Sequence, residues 1–196
     1  MDIVEGEAAG AYPEAILQRF TRTIIFVKPQ LIVVYDRLKA REPSTFDYWL
    51  HAVKEFSVED QHHVQVRDGE AVCEIDFLAP SGLRFKQTDQ YDPNPRPRIK
   101  LREWHLTATT PKEAEQMEFV ALYRPHRVNV GVTKERDELS RIPGGYLLRV
   151  PLSQGEFVAL LPTDDESVLD ADGLRSTGAV KCRLEQKNLP IQILGL

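Results

Sequence analysis

The stretch Thr23-Ile-Ile-Phe-Val-Lys-Pro-Gln-Leu-Ile-Val-Val-Tyr-Asp36 constrains the fold more than any other part of the chain. Two short apolar runs, rich in β-branched residues, flank Lys28-Pro29-Gln30. Pro29 presets φ for a turn, and Val and Ile favour strands, so the segment reads as a β-hairpin. Successive strand residues point to opposite faces. Ile24 and Phe26 face one way, Ile25 and Val27 the other, and Ile32, Val33 and Val34 repeat the pattern. A sheet wet on one face alternates polar and apolar residues. This hairpin does not, so it is expected to be covered on both faces, at the centre of a layered β structure. The covering body is either the chain's own C-terminal strands, a second copy of the chain, or another domain.

The 196 residues suffice for one well-packed domain. The 13 prolines and 11 glycines are spread along the chain, as many short strands joined by turns require. A net charge of -5 argues against a nucleic-acid partner. No run reaches the roughly eighteen apolar residues of a membrane span. The start, Met1-Asp-Ile-Val-Glu-Gly-Glu, is acidic and lacks the apolar core of a signal peptide. The chain is therefore read as cytoplasmic or as a piece of a longer precursor. Cys73 and Cys182 each share a strand face with apolar neighbours and read as small buried hydrophobes, although a disulfide between them stays open.

Strands are expected at about 19–27, 31–39, 46–54, 62–67, 71–78, 83–89, 98–109, 117–124, 127–132, 145–151, 156–161, 178–185 and 190–194. Asp68-Gly69 between two strand-like runs is the sharpest hairpin signal. Pro111-Lys-Glu-Ala-Glu-Gln fits one helical turn, and the polar segment 162–177 reads as a long loop. The fold class is all-β: a mainly antiparallel β-sandwich, half of a larger two-layer β assembly, with little helix. Residues 1–161 form the sandwich module; 162–196 supply a polar loop and C-terminal strands of the same domain.

Three segments together resemble the β-sheet region of heparinase II/III-like polysaccharide lyases. They are Arg19-Phe-Thr-Arg22, then Ile24 to Leu38 with its Lys-Pro turn and Asp36-Arg37 ending, then Phe46-Asp-Tyr-Trp-Leu-His51. Ile75-Asp-Phe-Leu-Ala-Pro-Ser-Gly82 and Glu103-Trp-His-Leu-Thr-Ala108 continue the pattern. The resemblance covers residues 16 to 124 and is looser beyond. It implies a multi-domain enzyme: an N-terminal α/α toroid, then a large two-sheet β region. Such enzymes cleave uronate-containing glycans by β-elimination, with Tyr and His residues drawn largely from the toroid and its junction with the sheet. This chain has neither the toroid nor the family's His-x-His-x-Asp loop, and looks like the later half of the β region. No catalytic residue carries over, and the chain by itself is expected to be inactive. If cut from such a bacterial enzyme it would be secreted or periplasmic, and its partners would be the missing helical domain or a second copy.

The five histidines, 51, 62, 63, 105 and 126, lack the spacing of a zinc site, so no metal and no cofactor is expected. Glu103, His105 and Thr107 share one strand face. They form either an oriented acid–base pair or a polar row on a solvated face. Tyr91, in a turn-like segment, is either a phenolic acid–base group or packing. The most specific feature is Arg96-Pro-Arg98-Ile-Lys100-Leu-Arg102-Glu-Trp104. On a regular strand Arg96, Arg98, Lys100, Arg102 and Trp104 share a face, opposite Ile99 and Leu101. A β-bulge at 102–103 would restore a continuous apolar face beyond them. Guanidinium forks and a flat ring suit an acidic polysaccharide, bound weakly. The same row also suits an edge strand blunted by charge. The leading reading is a non-catalytic module of a heparinase II/III-like lyase. A stand-alone carbohydrate-binding or structural β-sandwich is the alternative, and a small sugar-isomerase-like enzyme the third.

Overall fold

The computed structural model describes residues 1–91, 98, 103–130 and 137–196. Its strands are β1 (Asp2–Glu7), β2 (Leu17–Val27), β3 (Leu31–Ser44), β4 (Asp47–Ala52), β5 (Phe56–Val58), β6 (His63–Asp68), β7 (Ala71–Ala79), β8 (Arg84–Thr88) and β9 (Trp104–Thr109). They continue as β10 (Ala114–Arg127), β11 (Glu138–Ile142), β12 (Gly145–Leu152), β13 (Gly155–Pro162), β14 (Val168–Ala171), β15 (Leu174–Thr177), β16 (Lys181–Gln186) and β17 (Gln192–Gly195). One 3₁₀ turn covers Ala9–Ala11, and no described helix is long and apolar enough to cross a membrane.

The expected hairpin is β2–β3, in register with Ile25 opposite Val33 and Ile24 opposite Val34. It lies inside a seven-stranded antiparallel sheet ordered β1-β2-β3-β10-β7-β6-β5. Its two faces meet different partners. Ile25, Val27, Leu31, Val33 and Tyr35 are fully buried against Leu148, Val150, Phe157, Ala159 and Leu161 of a five-stranded sheet, β11-β12-β13-β16-β17. Ile24, Ile32 and Val34 turn the other way. Together with Phe77, Phe119 and Ala121 they pack against Tyr48, Leu50, Leu106 and Ala108 of a three-stranded sheet, β4-β9-β8. The chain thus stacks three layers, with the hairpin in the middle one. Its own C-terminal strands seal one face. The second face is covered less completely, since Ile24, Phe26 and Ile32 stay half-buried.

Asp68-Gly69 makes the expected turn: β6 and β7 pair in register through it, and Gly69 adopts the left-handed φ of +60°. Several expectations fail for physical reasons. The acid-rich β1 shows no apolar alternation, because an edge strand held by backbone pairing to β2 needs little burial. Residues 111–116 do not form a helical turn. β10 starts at Ala114 because β3 runs to Ser44 and offers it a partner. Of the strand expected at 127–132, the described part does not form: β10 ends at Arg127 and residues 128–130 turn or bend, while 131 and 132 lie outside the described residues. Segment 162–177 is not a bare loop: β14 and β15 pair as a ribbon whose Leu169 and Leu174 pack on Val158 and Leu160. Cys73 and Cys182 are free thiols, on β7 and β16 in different sheets, and burial pushes each up to about 11.

The ribbon's anchor is testable. Gly178 has φ +66°, and a Cβ there would lie 1.9 Å from the Asp165 carbonyl oxygen. Its own carbonyl accepts a hydrogen bond from buried Arg37 at 3.1 Å, and Arg37 also pairs with Asp165 at 3.0 Å. Gly178→Ala combines a left-handed alanine with a backbone clash. It should cost about 2 kcal/mol or more, read as a fall in Tm of at least about 4 °C. An unchanged Tm would show that this loop holds no fixed position against β3.

Candidate functional site

Alternation along β4 sends Tyr48 and Leu50 into the core and Asp47, Trp49 and His51 outward. Trp49 then joins two features, a cleft and a histidine cluster. The cleft holds about 420 Å³ beside the hairpin, lined by the rings of Tyr12, Phe20 and Trp49 and the polar groups of Arg22, Asp36 and Asp47. Phe20 and Arg22 are two residues apart on β2 and so share a face. The Arg22 fork donates to both Asp36 oxygens, at 2.7 and 2.6 Å. It also lies over the rings of Tyr48 (5.0 Å) and Phe20 (5.6 Å). Burial pulls the Asp36 carboxyl upward against the pull of Arg22. The same hydrogen bonds raise the guanidinium further, so Arg22 stays charged and the bidentate geometry favours an ion pair.

Beneath the cleft the Tyr48 and Tyr123 hydroxyls are 2.6 Å apart. Burial pushes Tyr48 up to about 12 and also raises Tyr123. Neither phenol is poised to lose a proton near neutral pH, so neither suits a general base.

The histidine cluster lies on the outer face of the three-stranded sheet. Pairing of β4 with β9 sets His51 directly opposite His105, their rings 4.9 Å apart. Glu103, two residues before His105, reaches the same face: its Oε1 is 3.6 Å from His51 Nδ1. The Tyr91 hydroxyl donates to Glu103 Oε2 at 2.5 Å, and this bond raises the phenol. The Tyr91 ring meets His105 edge-on at 4.1 Å. Trp49 stacks on His51 at 6.2 Å and meets His105 at 6.4 Å. His105 is buried under these rings, and its Nε2 has no hydrogen-bond partner.

The basic row fares differently. Arg96, Lys100 and Arg102 lie outside the described residues, as does the bulge expected at 102–103. Arg98 is exposed and sits in a turn, not in a strand. Trp104 opens β9, half-buried, and packs toward the core beside Leu106 and Ala108. It does not stand on the outward face that carries His105. Of the five, the structure therefore offers Arg98 alone to solvent among the described residues. Sequence reasoning missed Trp49 and His51. The alternation in Asp47-Tyr-Trp-Leu-His51 carried the signal, with every second residue polar or amphipathic.

Several other charged groups pair with one another. Arg124 spans Asp76 at 3.0 Å and Asp137 at 2.5 Å, and His63 Nδ1 lies 2.6 Å from the other Asp76 oxygen. Glu118 is raised by burial, beside Arg141 and Tyr146. A second cleft of about 340 Å³ is lined by Arg19 and Arg37, which both reach Asp165.

The three-layer β architecture is shared with a heparinase III. The solved structure is heparinase III, the BT4657 gene product with methylated lysines. The TM-score is 0.53 at 11% sequence identity, and the match covers 99% of this chain and 25% of that one. The chain thus spans about a quarter of the length of that protein. At that identity the likeness is one of fold. No protein-family model and no curated protein matches the sequence. All-β, mainly antiparallel architecture therefore holds, as does a distant structural relationship to heparinase III.

Proposed function

We propose that this chain is the β-sandwich module of a heparinase II/III-like polysaccharide lyase, and that it contributes part of a groove for an acidic glycan. The observation that carries the reading is the match of nearly the whole chain to a quarter of heparinase III. In such an enzyme, elimination removes the proton next to a uronate carboxyl and expels the 4-linked sugar. This chain's share is binding and support, and the upward-shifted Tyr48, Tyr91 and Tyr123 fit that division of labour. The cleft has the parts a sugar needs: aromatic faces at Tyr12, Phe20 and Trp49, and polar groups at Arg22 and Asp47. The basic segment from Arg96 to Arg102 would add charge for carboxylate or sulfate. A secreted or periplasmic location and a helical partner domain belong to the same proposal.

Calorimetric titration of the chain with sulfated and uronate-rich oligosaccharides tests it. Weak, saturable binding is expected, decreasing with added salt because exposed charges are screened within about 10 Å. Trp49→Ala should weaken it up to about tenfold, the worth of one aromatic contact. Arg98→Ala with Arg102→Ala tests the basic segment in the same titration. No ultraviolet-absorbing unsaturated uronate should accumulate. Eliminative turnover, or binding that ignores both Trp49→Ala and the arginine pair, would overturn the reading.

A further inference from the structure

We propose that His51, Glu103 and His105 form a binding site for one zinc-class divalent ion, with Tyr91 positioning the carboxylate. One ligand atom from each of the three residues lies within 4.8 Å of the other two. The closest pair, His51 Nδ1 and Glu103 Oε1, is 3.6 Å apart. Two ligands on a tetrahedral zinc with bonds of about 2.0 Å lie about 3.3 Å apart. Closing the set needs only small side-chain rotations. Those of His51 and Glu103, 49% and 44% exposed, have room for such movements.

Four features make this more than an accidental grouping. The histidines come from different strands and meet through sheet register, so the backbone fixes their spacing. His105 is only 8% exposed, and its Nε2 lacks a hydrogen-bond partner. A buried polar atom without a partner is unfavourable, so this imidazole keeps unused binding capacity. Tyr91 holds the second Glu103 oxygen, as a carboxylate's outer partner does in metal sites. Trp49 and Tyr91 also flank the imidazoles with apolar rings, which lowers the local dielectric.

The donor set selects the ion. Two imidazoles and one carboxylate suit zinc and its neighbours, whereas calcium and magnesium want six or more oxygens. Three protein ligands leave a fourth position for water or for an oxygen of a bound molecule. The ion would clamp β4 to β9 and to the segment carrying Tyr91.

Titration of the full chain with zinc chloride, followed by calorimetry, and with cobalt(II), followed by visible absorption, tests the site without any glycan or activity. One ion per chain is expected, with Kd of about 1 μM or tighter, and cobalt should show the intense bands of a four-coordinate centre. His51→Ala and Glu103→Gln should each weaken zinc binding at least about thirtyfold. Tyr91→Phe should weaken it roughly 10–100-fold. His62→Ala, at an exposed site elsewhere, should bind as wild type. The half-exposed His51 and Glu103 keep the test independent of whether a His105 variant folds. Absence of saturable binding below about 1 mM, or equal binding by wild type, His51→Ala and Glu103→Gln, would overturn the proposal.

Discussion

Arg124→Met should destabilise the chain by about 3–5 kcal/mol at neutral pH, because it leaves two carboxylates without their shared cation. Arg124 is 8% exposed and holds Asp76 at 3.0 Å and Asp137 at 2.5 Å. These groups lie on the side of the central sheet that also carries the sealed core of Val120 and Leu122. Burial already raises the Asp137 carboxyl above its ordinary 3.8, and Arg124 is what pulls it back. Without Arg124 the Asp137 carboxyl rises further. A carboxyl raised in the folded state contributes stability below its unfolded pKa and loses it as pH rises through the folded one. The deficit of Arg124→Met should therefore be largest near neutral pH and shrink as pH falls toward 3.8. Urea unfolding of wild type and variant across that range reads both the size and the slope. Adding Asp137→Asn to Arg124→Met should recover part of the loss at neutral pH. A deficit under about 1 kcal/mol, flat with pH, would mean that water reaches the pair and screens it.

What the sequence made legible was local. Residues 23–36 announced a doubly apolar hairpin, and Asp68-Gly69 announced a turn, because both signals lie within a few residues. What it hid was pairing at a distance. His51 and His105 become neighbours only through the register of β4 on β9. A slip of one residue would send one of them to the opposite face, and nothing in either strand alone fixes that register. Tyr91 reaches the same cluster from a segment that showed only turn chemistry. β1 and the β14–β15 ribbon were hidden for other reasons: β1 is half acidic and held at an edge by backbone pairing, and each four-residue strand of the ribbon buries a single leucine, Leu169 or Leu174, too few to show an alternation. Trp104 was placed with the basic row by strict alternation from Arg96. The core instead takes Trp104, Leu106 and Ala108 from β9, which leaves Glu103 and His105 to the outside.

Val33→Asp should abolish cooperative folding at neutral pH, whereas Phe26→Asp should cost about 1 kcal/mol. Both positions lie in the hairpin, and both are apolar, so the sequence alone ranks them together. The layers separate them. Val33 is fully buried in the seam between the central and C-terminal sheets, among Leu148, Val150 and Phe157. A carboxylate there meets no donor, and an unpaired buried charge costs several kcal/mol. That is a large part of the roughly 5–15 kcal/mol that holds a domain folded. Phe26 is half-exposed on the opposite face, so an aspartate there keeps water, and the Lys28 ammonium, 5.8 Å from the ring and already paired with Asp2 across the strand from Phe26, offsets the repulsion between the two carboxylates. Urea titration followed by near-ultraviolet circular dichroism distinguishes the two. Equal losses would mean that the C-terminal sheet does not seal Val33. The same contrast bears on the proposed lyase: the face of Phe26, Ile24 and Ile32, left partly open by this chain, is the one on which a further domain would gain apolar contact.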